Sequence, residues 1–235
     1  MLIGARSLAA LNGQTPACAT RLFAPRFTVG TGFASTLVVV NPTTDPASVT
    51  VRAINDAGAN FAAPASFSLG AGKPFRTNAA ALLGLSSATG SLVVESSLGG
   101  LVGSVFICET NASPAFAAAF PLITAASQNW AVPCVPMNGS FFRDISLLNT
   151  NGAAVNATIK FFLPNASLVS TANVAIAAGG RMTTNLGLLL PASASAANGY
   201  FVVEASAPVI VSGLTGETSG NSLSPLPAQS REDDH

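Results

Sequence analysis

Apolar and polar residues alternate with a period of two along much of this chain. Val49, Val51 and Ala53 interleave with Thr50, Arg52 and Ile54; Ala157, Ile159 and Phe161 interleave with Thr158, Lys160 and Phe162. An extended backbone sends successive side chains to opposite faces, so these runs predict strands with one face buried. Turn-forming clusters separate them: "NPTTDP" (41–46), "NDAGAN" (55–60), "LGAGK" (69–73), "NTNG" (149–152), "LPNAS" (163–167) and "AAGGR" (177–181). Asn, Asp, Gly and Pro each favour turns for their own backbone reason. Seven or eight such runs in about 100 residues predict an antiparallel β-sandwich. Two segments break the pattern. "TNAAALLGL" (77–85) and "TNLGLLLPA" (184–192) predict a short helical turn, with Leu82, Leu83, Leu189 and Leu190 plugging the core.

The pattern also recurs on a longer scale. "GSLVVESS" (90–97) reappears as "GYFVVEAS" (199–206), and a shift of about 108 residues aligns most of the chain with itself. In that alignment Asn41 lies over Asn149, Arg52 over Lys160, Lys73 over Arg181, Glu95 over Glu204 and Glu109 over Glu217. The period is too long for a solenoid and suits tandem domains. The expectation is an all-β chain with modules at 20–127 and 128–228. Residues 1–19 would form an N-terminal strand and linker, and 229–235 a disordered tail. "LIGARSLAAL" (2–11) resembles "LVGSVFICET" (101–110), the last strand of a module. Either the chain starts inside the final strand of a preceding module, or Leu2, Ile3, Leu8 and Leu11 belong to a donor strand that pairs with a neighbouring molecule.

Composition narrows the function classes. Hydrophobic residues make up 49% and charged residues only 9%, far below the quarter or so usual for soluble domains. The longest apolar stretch, "SPAFAAAFPLITAA" (113–126), is short, proline-interrupted and mostly alanine, so no membrane span is expected. The net charge is zero and no cation cluster exists, which argues against nucleic-acid binding. A neutral Ser/Thr/Asn-rich surface points to an extracellular or cell-surface setting. Three cysteines fit no metal spacing. Either all are idle thiols or two pair, with Cys108 and Cys134 the favoured pair.

Little in the chain supports catalysis. The only histidine is His235, the last residue, so no triad can form around it. The repeated acids, Glu95 with Glu109 and Glu204 with Glu217, fall several rungs apart along a hairpin. Asp45 and Asp56 have no acidic counterpart in the second copy, so no calcium site is expected. No cofactor is called for. Arg52, Glu95, Lys160 and Glu204 read instead as cross-strand ion pairs on an outer face. Trp130 falls in the linker between modules, and with Phe141 and Phe142 it forms either a ligand platform or an inter-module contact.

The order of motifs, from "LVVVNP" through "ASVTVRAIN" and "LGAGK" to "GSLVVESS", resembles the tandem immunoglobulin-like β-sandwich repeats of large secreted bacterial surface proteins. The resemblance spans nearly the whole chain in two copies. It implies a non-catalytic structural module, a spacer or self-assembling subunit. Its partners would be further modules or copies of itself. The alternative is an adhesin module that binds carbohydrate or a host surface through end loops.

Overall fold

β-branched and aromatic runs bounded by turn residues form strands throughout the computed structural model. It describes residues 19–110, 117–135, 141–189, 199–217 and 222–231. The chain is all-β with antiparallel pairing, and no helix among the described residues is long and apolar enough to cross a membrane. Contacts divide it into two compact units. The division falls between Thr124 and Ala125, and Asp56–Gly58 group with the second unit.

In the first unit the strands are β1 (Arg21–Val29), β2 (Phe33–Val40), β3 (Ala47–Ile54), β4 (Ala65–Leu69) and β5 (Pro74–Asn78). Helix α1 (Ala79–Leu83) follows, then β6 (Ala88–Ser96), β7 (Val102–Glu109) and β8 (Ala117–Pro121). They make two four-stranded sheets, ordered β1-β6-β3-β4 and β5-β2-β7-β8. Val49, Val51 and Ala53 from one sheet and Leu37, Val39 and Val105 from the other are buried. Core side chains drawn from both sheets give the unit its β-sandwich character.

The second unit contains β9 (Ser127–Val135), β10 (Phe141–Asn149), β11 (Val155–Phe162), β12 (Leu168–Ile176) and β13 (Arg181–Asn185). A 3-10 turn (Leu186–Leu189) precedes β14 (Gly199–Glu217), β15 (Leu223–Leu226) and β16 (Gln229–Ser230). These pair as one sheet because β14 runs unbroken for 19 residues. Its first part, Tyr200–Ala205, pairs with β11, and its last part, Val209–Glu217, pairs with β10. In the first unit two separate strands, β6 and β7, occupy those positions beside β3 and β2.

The registers correspond closely. Thr50 faces Glu95 and Thr158 faces Glu204; Phe33 faces Glu109 and Phe141 faces Glu217. One expected correspondence is off by a residue. Val40 pairs with Pro74 and Leu148 with Arg181, so Arg181 takes the place of Pro74, not of Lys73. The backbone agrees: Asn41 N–H donates to the Lys73 carbonyl and Asn149 N–H to that of Gly180. The "GGR" turn is shorter by one residue than the shift of 108 assumes.

The repeated phrase owes its first letter to close strand approach. A Cβ on Gly90 would lie 2.2 Å from the Ile54 carbonyl oxygen, and one on Gly199 would lie 2.4 Å from that of Phe162. Only glycine fits where a neighbouring backbone comes so near.

The helical turns are capped by asparagine in both units. Asn78 Oδ1 accepts from Ala80 N–H at 2.8 Å and Ala81 N–H at 3.3 Å, and Asn185 Oδ1 accepts from Gly187 N–H at 2.8 Å. Of the leucines expected to plug the core, Leu83 is buried and Leu189 packs against the core of the second unit. Leu82 is half-buried, and Leu186, which was not expected there, is fully buried. Leu190 lies outside the described residues.

Trp130 is also corrected. It belongs to β9, is 5% exposed, and packs in the core of the second unit with Val132, Ile145, Leu147 and Val203. Its Nε1–H donates to the Val209 carbonyl at 2.9 Å and the Ser127 carbonyl at 3.0 Å. The flanking polar residues make the stretch read as linker, but strand alternation turns the indole inward.

Candidate functional site

The outer face of each unit carries the recurring charges. Arg52 and Glu95 sit diagonally on β3 and β6, and Arg52 Nη2 donates to Glu95 Oε1 at 2.7 Å. Arg21, directly opposite Glu95 on β1, reaches the same oxygen at 3.2 Å and lies over the Phe23 ring. One carboxylate thus joins three strands. In the second unit Lys160 Nζ donates to Glu204 Oε2 at 2.6 Å, and Asn129 stands where Arg21 would be.

These side chains are partly exposed, so solvent screens the pairs. Glu95→Gln is expected to cost about 0.5–1 kcal/mol and Glu204→Gln about half of that. Urea unfolding at low salt measures the difference, which shrinks as salt rises.

Two buried asparagines form a second recurring feature. Asn41 and Asn149 are fully buried at the ends of β2 and β10. Asn41 Nδ2 donates to the carbonyls of Asp45 (2.8 Å), Leu69 (3.1 Å) and Gly70 (3.3 Å), while its Oδ1 accepts from Thr43 N–H and Oγ1. Asn149 Nδ2 donates to Ala153 (2.7 Å), Ala177 (2.9 Å) and Ile176 (3.3 Å), while its Oδ1 accepts from Asn151 N–H and Nδ2. Each amide closes the turn that follows its own strand and ties it to a turn nearly thirty residues on. The sequence marks both residues only as a matched pair, each opening a turn cluster.

The aromatics divide differently from expectation. Trp130 is in the core, whereas Phe141 and Phe142 are half-buried on β10. A stacked pair not expected from the sequence, Phe162 and Tyr200, lies directly across β11 and β14, with ring centroids 5.2 Å apart and planes within 10°. Both rings are half-exposed.

Cys108 carries a free thiol on β7, in register between Ala34 and Ala117. The Cys134 side chain lies outside the described residues. Burial pushes the Cys108 thiol above its ordinary value, and the Arg76 guanidinium partly offsets this. Such a thiol is a poor nucleophile near neutral pH. Burial likewise lowers the pKa of Arg143, which is 6% exposed on β10.

The repeated acids do not converge. Glu95 and Glu109 lie on different sheets, and Glu204 and Glu217 lie in different parts of β14. Among the described residues, no group of three or more His, Cys, Asp or Glu is placed to hold a metal ion. Leu2, Ile3, Leu8 and Leu11 lie outside the described residues. What the geometry does is hold strands and turns together.

No family model matches this chain, and no curated protein matches it. Among solved structures it is similar to the Anabaena sensory rhodopsin transducer at 14% identity, covering 38% of this chain and 96% of that one, with a TM-score of 0.31. A Pleurotus ostreatus lectin in complex with GalNAc aligns at 13% identity over 95% of this chain and 83% of its own, with a TM-score of 0.22. Bacteroides uniformis β-glucuronidase 2 aligns at 10% identity over 89% of this chain and 26% of its own, with a TM-score of 0.19. Likenesses this weak carry no argument about activity.

Proposed function

We propose that the chain is a non-catalytic structural segment of an extracellular or cell-surface protein. On this reading it comprises two immunoglobulin-like β-sandwich modules in tandem, related by an internal repeat, and serves as a spacer or self-assembling unit. One observation carries the reading. In both units the recurring polar positions, Arg52 and Glu95, Lys160 and Glu204, Asn41 and Asn149, are committed to strand-to-strand and turn-to-turn bonds. Groups engaged in this way hold a frame.

A second reading, carbohydrate binding, is favoured by the half-exposed Phe162–Tyr200 stack beside the Lys160–Glu204 pair. Aromatic faces next to polar groups suit sugar rings. A glycan array probed with the full chain separates the two. The structural reading expects no saturable binding. Saturable binding that is lost in Phe162→Ala overturns it in favour of the second.

A further inference from the structure

We propose that β12 is a docking edge that pairs antiparallel with β12 of a second copy of this chain, extending the sheet across a two-fold axis. The inference rests on the structural-module reading and names the partner of that assembly.

A sheet edge presents unpaired backbone N–H and C=O groups and invites another strand, so edges are normally blunted by charge, proline, bulges, shortness or a covering segment. Nearly every other described edge has such a device. β4, β5, β8 and β13 are five residues long; β5 also opens with Pro74 and carries Arg76, and β13 opens with Arg181. β1 carries Arg21, Pro25 and Arg26, shifts register between Ala24 and Phe27, and bonds to Ile123. β9 is covered by β16, and β15 is four residues long with Pro225.

β12 differs. It is nine residues long, "LVSTANVAI", without proline, glycine or charge. No charged residue occurs from 161 to 180. Among the described strands it pairs only with β11, and it is regular from Ser170 to Ile176. Leu168 is 54% exposed, and Thr171, Asn173 and Ala175 are also exposed.

The exposed face of the strand is complementary to itself. With the two-fold at Ala172, Thr171 of each copy faces Asn173 of the other, both of them exposed polar side chains. Ser170 meets Val174 on the opposite face, and no like charges are opposed. A two-fold contact uses the same edge on both copies and closes after two. Strand addition supplies the main-chain bonds.

Light scattering over a concentration series tests this on the full chain. The parent is expected to reach twice the chain mass. Thr171→Lys, at an exposed position, is expected to weaken association about tenfold or more. An equal mixture of T171K with T171E is expected to restore it, which also rules out misfolding as the cause of the loss. Ser68→Lys on β4 is expected to change nothing. Association that survives T171K overturns the β12 edge but leaves the assembly reading standing. A parent at single chain mass throughout overturns both the edge and self-assembly, leaving the spacer.

Discussion

Asn149→Ala lowers the unfolding free energy by about 3 kcal/mol, read as a shift in urea midpoint at unchanged slope. The magnitude follows from what the side chain leaves behind. Its amide donates to three backbone carbonyls, of Ala153, Ile176 and Ala177, and accepts from Asn151. The residue is fully buried, so no water replaces it without rearrangement. A net hydrogen bond stabilises by only about 1 kcal/mol, but a buried group left unpaired costs about 1–3 kcal/mol. Asn41→Ala removes the matching set to Asp45, Leu69 and Gly70 and is expected to cost a similar amount. Asn149→Asp separates donors from volume: it keeps the shape and the acceptor but loses both donor hydrogens. Destabilisation at least as large as that of the alanine variant is expected. An aspartate variant as stable as the parent contradicts the role assigned to the donors.

The strands and the paired charges were legible in the sequence because each depends on near neighbours. Val49, Val51 and Ala53 alternate with polar residues, and the structure buries all three. Arg52 and Lys160 hold matching places on matching strands, and in a chain with so few charges their partners Glu95 and Glu204 are few to choose from. The asparagine amides were harder to read. Nothing local to Asn41 announces that it reaches the Leu69 carbonyl, a contact fixed only once two turns fold together. The slip between Lys73 and Arg181 has a related cause, since one residue fewer in a turn leaves the flanking alternation intact. The unbroken β14 was equally hidden. "EASAPVIVSG" has turn-forming residues, including Pro208, yet the strand passes through it. β12 carries the converse lesson: its missing charges are plain in the sequence, but its position at an edge is not.

Trp130→Ala is expected to have the largest effect of any single substitution considered, about 4 kcal/mol. The indole is buried among Val132, Ile145, Leu147, Val203 and Val209, so truncation loses apolar burial and opens a cavity. It also strands the Val209 carbonyl to which Nε1–H donates. Trp130→Phe keeps much of the volume and loses that bond, so about 1–2 kcal/mol is expected, dominated by the unpaired carbonyl. The chain has one tryptophan, so its emission reports on this site alone. Native emission is expected to be blue-shifted and protected from acrylamide, and unfolding should shift it to the red. A surface platform would behave in the opposite way, with red, readily quenched native emission and a near-neutral W130A. The two outcomes differ in spectrum and in stability together, so the measurement decides whether this aromatic holds the second unit's core or offers a face to a ligand.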